Sequence, residues 1–189
     1  METNPTRQFA LWAMVGFFVC GGLLSALFFL FGSFGQIQGR ILGTTFSLGF
    51  FSLLILLSAS KFDDEDLAFF ARLGVFAGVL AAAMLQLLIW KILNPNTIGF
   101  RIIGISTVVA FAVAHTMALW RNGLSEVAAI SLRLTLFSVF VVSIMLIVII
   151  LSFKGSGLFY RGLGFFAILD VAGTLVTPLL GKLTRPSPA

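Results

Sequence analysis

Apolar residues run along this chain in blocks too long and too continuous for a water-facing surface, separated by short clusters of charge, glycine and proline. The first block covers about 9 to 31 and ends in Gly32, Ser33, Phe34, Gly35 and Gln36, a flexible polar turn. The second, about 41 to 58, begins after Arg40 and stops at Lys61, Phe62, Asp63, Asp64, Glu65 and Asp66, which hydrocarbon does not accommodate. These acids lead into the third helix, whose dipole favours carboxylates at its start. That block, about 68 to 90, closes on Trp90, Lys91 and the Asn94-Pro95-Asn96 turn. The fourth covers about 102 to 120, before Arg121-Asn122-Gly123. A fifth, about 130 to 153, has a start blurred by Ser131 and Arg133 and ends at Lys154-Gly155-Ser156-Gly157. The sixth runs from about 162 to 180, with Lys182, Arg185 and Pro186 beyond. Blocks continuously apolar for about 20 residues predict helices that cross a bilayer, not barrel strands alternating over about 10. The expected fold is all-α, a polytopic membrane helical bundle with six transmembrane helices in one integral membrane domain, residues 1–189.

Composition sharpens this. The chain is 59% apolar and 10% charged, where a soluble domain is about 45–50% apolar and about 25% charged. Six spans of about 20 residues use about 120 of the 189 positions. The rest serves seven tails and loops, which leaves no room for a soluble catalytic or ligand-binding domain. In a soluble chain a net charge of +5 would raise the question of nucleic acid. Here the cations sit singly at the ends of apolar blocks, so they predict anchoring at the membrane interface and no nucleic-acid partner. Cys20, the single cysteine, lies inside the first block, and it excludes an intramolecular disulfide or a CxxC redox pair. The N-terminus carries Glu2 and Arg7 without a clear cleavage site, so the first block is expected to be a retained span.

The second, fourth and sixth blocks open alike, with Arg40-Ile41-Leu42-Gly43, Arg101-Ile102-Ile103-Gly104 and Arg161-Gly162-Leu163-Gly164. Spacings of 61 and 60 residues each fit two spans and two short loops, which suggests three repeated helical hairpins. Arg40, Arg101 and Arg161 are read as interface anchors. The glycines Gly43, Gly104 and Gly164 would let a neighbouring backbone come close. Gly39 with Gly43, and Gly74 with Gly78, add the GxxxG spacing, for packing within the chain in preference to dimerisation. The segment Gly39 to Thr45, Arg161 to Gly164, and Ala167-Ile168-Leu169-Asp170-Val171-Ala172-Gly173-Thr174 together resemble uncharacterised small bacterial multi-span membrane proteins. The resemblance implies a multi-span protein of a bacterial inner membrane and no particular activity.

Orientation follows from Lys and Arg on alternate sides. Six spans put both termini on one face with Arg7, Lys61, Arg72, Arg121, Arg133, Lys182 and Arg185, seven cations, against Arg40, Lys91, Arg101, Lys154 and Arg161, five, on the other. The majority favours cytoplasmic termini in a plasma membrane.

Asp170 is the residue most in need of an account. It lies about 13 Å into the last span, near the bilayer midplane. An ionised carboxylate there costs at least about 2.5–3.5 kcal/mol, so it must face the bundle or a water pocket, be paired, or be protonated. Thr174 and Thr177 follow one and two turns on, and Pro178 leaves the Thr174 carbonyl without its helical donor. The three side chains form a polar stripe able to hold a proton or a small cation. His115, the single histidine, cannot supply a bis-histidine haem or a His-rich metal site, so no cofactor and no metal are expected. Its ordinary role is an interhelical hydrogen bond, and a meeting with Asp170 would make a proton-sharing pair.

Other motifs have plainer readings. Gly155-Ser156-Gly157 has the small-residue setting of a nucleophilic serine but no adjacent base, which makes it a loop. Gln86, Thr44, Thr45, Ser47, Ser106 and Thr107 suit interhelical hydrogen bonding. Asp63 to Asp66 lack the spaced geometry of a calcium loop. With no nucleophile and base and no metal set, the sequence supports no enzyme. Its leading functional reading is a packing or interaction component of the membrane, with lipid and other membrane proteins or a second copy as partners. The rival is a small proton- or cation-coupled transporter working through Asp170, Thr174, Thr177 and His115.

Overall fold

A computed structural model describes residues 5–31, 35–92, 96–120, 125–152 and 156–183. Six α-helices account for nearly all of them: α1 (Pro5–Phe31), α2 (Gln36–Ala59), α3 (Ala68–Ile89), α4 (Thr97–Leu119), α5 (Glu126–Ser152) and α6 (Gly157–Leu183). There is no strand among the described residues. Five of the helices, α2 to α6, are long and apolar enough to cross a membrane. In α1 the apolar stretch so established is Val15–Leu24, shorter than a crossing. The described residues are thus all-helical, with five helices both long and apolar enough to cross a membrane.

The helices begin earlier than the apolar blocks. Arg40, Arg101 and Arg161 lie four residues inside α2, α4 and α6, whose first residues are Gln36, Thr97 and Gly157. Hydrophobicity marks where hydrocarbon could begin, whereas the helix begins where its first N–H groups find acceptors. Those acceptors are local: Gln38 Oε1 takes the Gly35 N–H at 3.1 Å, Asn96 Oδ1 the Gly99 N–H at 2.6 Å, and Ser156 Oγ the Phe159 N–H at 3.2 Å. The Gly155-Ser156-Gly157 serine is therefore a helix cap. At the other end of the α2–α3 connection, no acid lies in the first turn of α3. Asp63 to Asp66 instead form a turn of their own before it, where the Asp64 carbonyl accepts from Leu67 and Ala68 at 3.0 and 2.8 Å. The α3 helix ends in a Schellman turn, with Ile92 N–H bonded to Leu87 O at 2.9 Å and Lys91 N–H to Leu88 O at 3.1 Å. This turn needs a left-handed residue, and Lys91, at φ 57°, occupies the place glycine usually takes.

The chain divides into two compact units, Met1–Ala114 and His115–Ala189, with the boundary inside α4. In the first, the core is Phe51 and Leu54 of α2, Ala77 and Ala81 of α3, and Ala110 and Ala114 of α4. Four alanines among six core residues bring the helix backbones close, the packing that replaces hydrophobic exclusion where the solvent is itself apolar. Gly74 carries this furthest: a Cβ there would lie 2.5 Å from Val113 Cγ1 and 2.6 Å from Ser58 Oγ. At Gly78 it would meet Ile55 at 3.1 Å, and at Gly43 Ile89 at 3.7 Å.

In the second unit α5 presents Ala128, Leu132, Thr135 and Val139 as a buried stripe at helical spacing. Against it stands α6, with Gly173 facing Thr135 and Phe166 edge-on to Phe137 at 6.1 Å. The outward positions of α6, among them Phe165, Ile168, Leu175 and Leu179, are apolar and exposed. Such a surface suits lipid and not water.

Candidate functional site

The second unit brings together His115 near the end of α4 and Asp170 and Thr174 in α6. His115 Nε2 lies 3.2 Å from Asp170 Oδ1 and 3.0 Å from Thr174 Oγ1. Helical geometry supplies the α6 half of the site, since residues four apart share a face. Thr174 Oγ1 donates to the Asp170 carbonyl at 2.8 Å and stands 3.5 Å from Asp170 Oδ1. The His115 and Asp170 side chains keep only 20% and 17% of their surface exposed.

Donor bookkeeping constrains the protons. Thr174 has one hydroxyl proton, and its 2.8 Å bond commits it to the Asp170 carbonyl. With the Thr174 proton placed there, a proton on Nε2 lets His115 donate to Thr174 Oγ1. An Nε2–H also suits an ionised Asp170 Oδ1 as a second acceptor. With one further proton the pair becomes imidazolium and carboxylate, or imidazole and carboxylic acid, and in either form it is neutral overall. Without it, the pair carries one net negative charge.

Thr177 is turned to a different task. It is 2% exposed, and its Oγ1 lies 2.9 Å from Ser131 Oγ of α5. Thr135, 1% exposed, bonds back to the Ser131 carbonyl at 2.8 Å, and Ser138 to Leu134 O at 3.0 Å. A Cβ on Gly173 would overlap Thr135 Oγ1. Ser131, Thr135, Ser138 and Gly173 thus form a small-residue seam with Thr177 that the sequence reading did not single out. Its signal was present, since Ser131, Thr135 and Ser138 recur at helical spacing within one apolar block.

The remaining singled-out residues lie elsewhere. A Cβ at Gly39 or Gly164 would meet nothing within 4 Å, and both residues are exposed, while Gly104 is half-buried. Arg40 and Arg101 are half-buried and Arg161 is exposed. In the first unit Gln86 Nε2 donates to Ser47 Oγ at 2.7 Å and Trp90 Nε1 to Thr44 Oγ1 at 3.1 Å, which ties α3 to α2. Thr45 and Ser106 bond back to their own helices, to Ile41 O at 2.8 Å and Ile102 O at 2.6 Å. Cys20 is exposed on α1. Among the described residues no group of three or more His, Cys, Asp and Glu is arranged to hold a metal ion.

Comparison with protein-family models, with curated proteins and with solved structures finds no match.

Proposed function

We propose that the chain is an integral protein of a bacterial plasma membrane that crosses it six times with cytoplasmic termini, and that its working site is a proton-binding pair, His115 and Asp170, within the bilayer. The observation that carries this is the 3.2 Å approach of Nε2 to Oδ1. It gives the half-buried acid a partner with which it can hold a proton and stay neutral overall. Thr174 orients the imidazole by accepting from it while its own proton is tied to the α6 backbone. Transport of a proton, or of a solute coupled to one, is the activity such a site serves.

A second reading, a packing component of a membrane assembly, is favoured by the α5–α6 seam. There Thr135 and Ser138 donate to their own helix's carbonyls, and Ser131 and Thr177 bond to each other. That arrangement holds two helices together and offers no proton path of its own. Reconstituted vesicles separate the two readings. Under an imposed pH gradient, Asp170→Asn is expected to abolish proton flux while the protein remains folded in lipid. A variant that conducts as the parent does, or a parent with no flux above protein-free vesicles, would leave the packing reading standing.

A further inference from the structure

On α5 the chain sets an acid and a cation along one exposed line. Glu126 opens the helix and Arg133 follows seven residues on, a step that returns to within about 20° of the same direction, about 10.5 Å further along the axis. Both residues are exposed, and among the described residues neither side chain has an ion-pair or hydrogen-bond partner. Ile130, Phe137, Phe140 and Ile144 continue the line, all apolar and all exposed. A face of this composition meets lipid, and the two charges lie within it.

Depth separates those charges. With 27 residues, α5 is about 40 Å long, and it is the most apolar of the five helices able to cross a membrane. A hydrocarbon core is about 30 Å thick, so a centred α5 leaves about 5 Å of helix beyond the core at each end. Glu126 then stands among the headgroups, and the Arg133 backbone lies about 5 Å inside the hydrocarbon. An unpartnered cation at that depth is costly. Long helical side chains lean back towards the N-terminus, which carries the Arg133 guanidinium to the boundary, below the carboxylate of Glu126.

We propose that Glu126 and Arg133 bind the headgroup of one phospholipid with an unmethylated amine, a phosphatidylethanolamine, whose acyl chains lie along Phe137, Phe140 and Ile144. The order of charges matches. In such a lipid the phosphate adjoins the glycerol and the ammonium lies further out, as Arg133 is the deeper residue and Glu126 the shallower. The guanidinium takes the phosphate through two parallel hydrogen bonds. The ammonium offers the carboxylate N–H donors that a quaternary choline lacks. An anionic headgroup without an amine satisfies Arg133 but leaves Glu126 beside a like charge. Attachment therefore comes from Arg133 and selection from Glu126. Of the membrane reading, this site requires only that α5 crosses the bilayer, and it is independent of the number of crossings and of the His115 and Asp170 pair.

The test uses the full chain purified from membranes and placed in nanodiscs of phosphatidylcholine doped with phosphatidylethanolamine, with its monomethyl or dimethyl derivative, or with phosphatidylglycerol. Lipid retained on the released protein is counted by native mass spectrometry. The parent is expected to retain phosphatidylethanolamine over phosphatidylcholine by about tenfold, the contribution of one hydrogen bond between charged partners, with retention falling at each added methyl group. Glu126→Gln is expected to flatten the series while phospholipid is still retained, and Arg133→Gln to lower retention of every member. Each variant removes an exposed charge without breaking a side-chain contact within the chain. A parent that retains the methylated series equally, or that prefers phosphatidylglycerol, overturns the proposal, as does a ranking unchanged in Glu126→Gln. Alkaline extraction of the parent from native membranes tells the two failures apart. A chain released into the aqueous phase overturns the membrane reading and the headgroup site together, whereas a chain that stays in the bilayer without the ranking overturns the headgroup site alone.

Discussion

Among the described glycines of the second unit Gly173 has the least room, and replacing it with alanine tests the packing that positions Asp170 and Thr174. A Cβ there overlaps Thr135 Oγ1 and stands 3.0 and 3.2 Å from Thr135 Cβ and Cγ2. Thr135 cannot yield outward, because it is 1% exposed and its hydroxyl is tied to Ser131 O at 2.8 Å. Either the Thr135 rotamer changes, with loss of a hydrogen bond of about 1 kcal/mol, or α6 moves away from α5, at an overpacking cost of about 1–3 kcal/mol. Helix propensity returns about 1 kcal/mol on replacing glycine by alanine. The expected net is a destabilisation of up to about 2 kcal/mol, measured by steric trapping or thermal unfolding in bicelles. Thr135→Ala removes the overlapping oxygen and the methyl, so the double variant should recover most of the loss, with a coupling of about 1–2 kcal/mol. A Gly173→Ala stabilised by the full helix-propensity gain of about 1 kcal/mol, or strict additivity with Thr135→Ala, would refute the close approach of α5 and α6 at this level.

Two further outcomes follow from the same contacts. Lys91→Gly removes a left-handed side-chain residue from the Schellman turn and is expected to stabilise the end of α3 by about 1 kcal/mol; an unchanged or lowered melting temperature would count against that turn. His115→Ala is expected to destabilise the parent by about 1–3 kcal/mol more than it destabilises Asp170→Asn, because it strands an acid in one background and an amide in the other; equal costs in both would mean the two side chains do not interact.

The helices were legible in the sequence because a continuous apolar block of bilayer length has one stable backbone solution in lipid. Their first turns were less so. The caps at Gly35, Asn96 and Ser156 lie in polar segments before the arginines, and hydropathy gives no weight to a backbone N–H that finds an acceptor. Asp170 stood out as a lone acid in an apolar block, but its partner did not. His115 is 55 residues away in sequence, and an apolar block with little polar contrast around its circumference does not say which side meets a neighbour. Thr177 shows the same limit. Spacing aligns it with Asp170 along α6, while contact with Ser131 assigns it to the seam. Among the glycines, Gly74 and Gly78 lie in close packing and Gly39 and Gly164 on open surface, although all four belong to motifs of small residues that look alike in one dimension.

The most direct measurement uses the fact that this chain has one histidine. With 15N-histidine incorporated, solid-state NMR of the protein in lipid reports the protonation and tautomer of His115 alone. The expected spectrum has the proton on Nε2, and the signal shifts in Asp170→Asn. A His115 signal indifferent to that substitution, or one without a proton on Nε2, would contradict the pair as the centre of this protein's function.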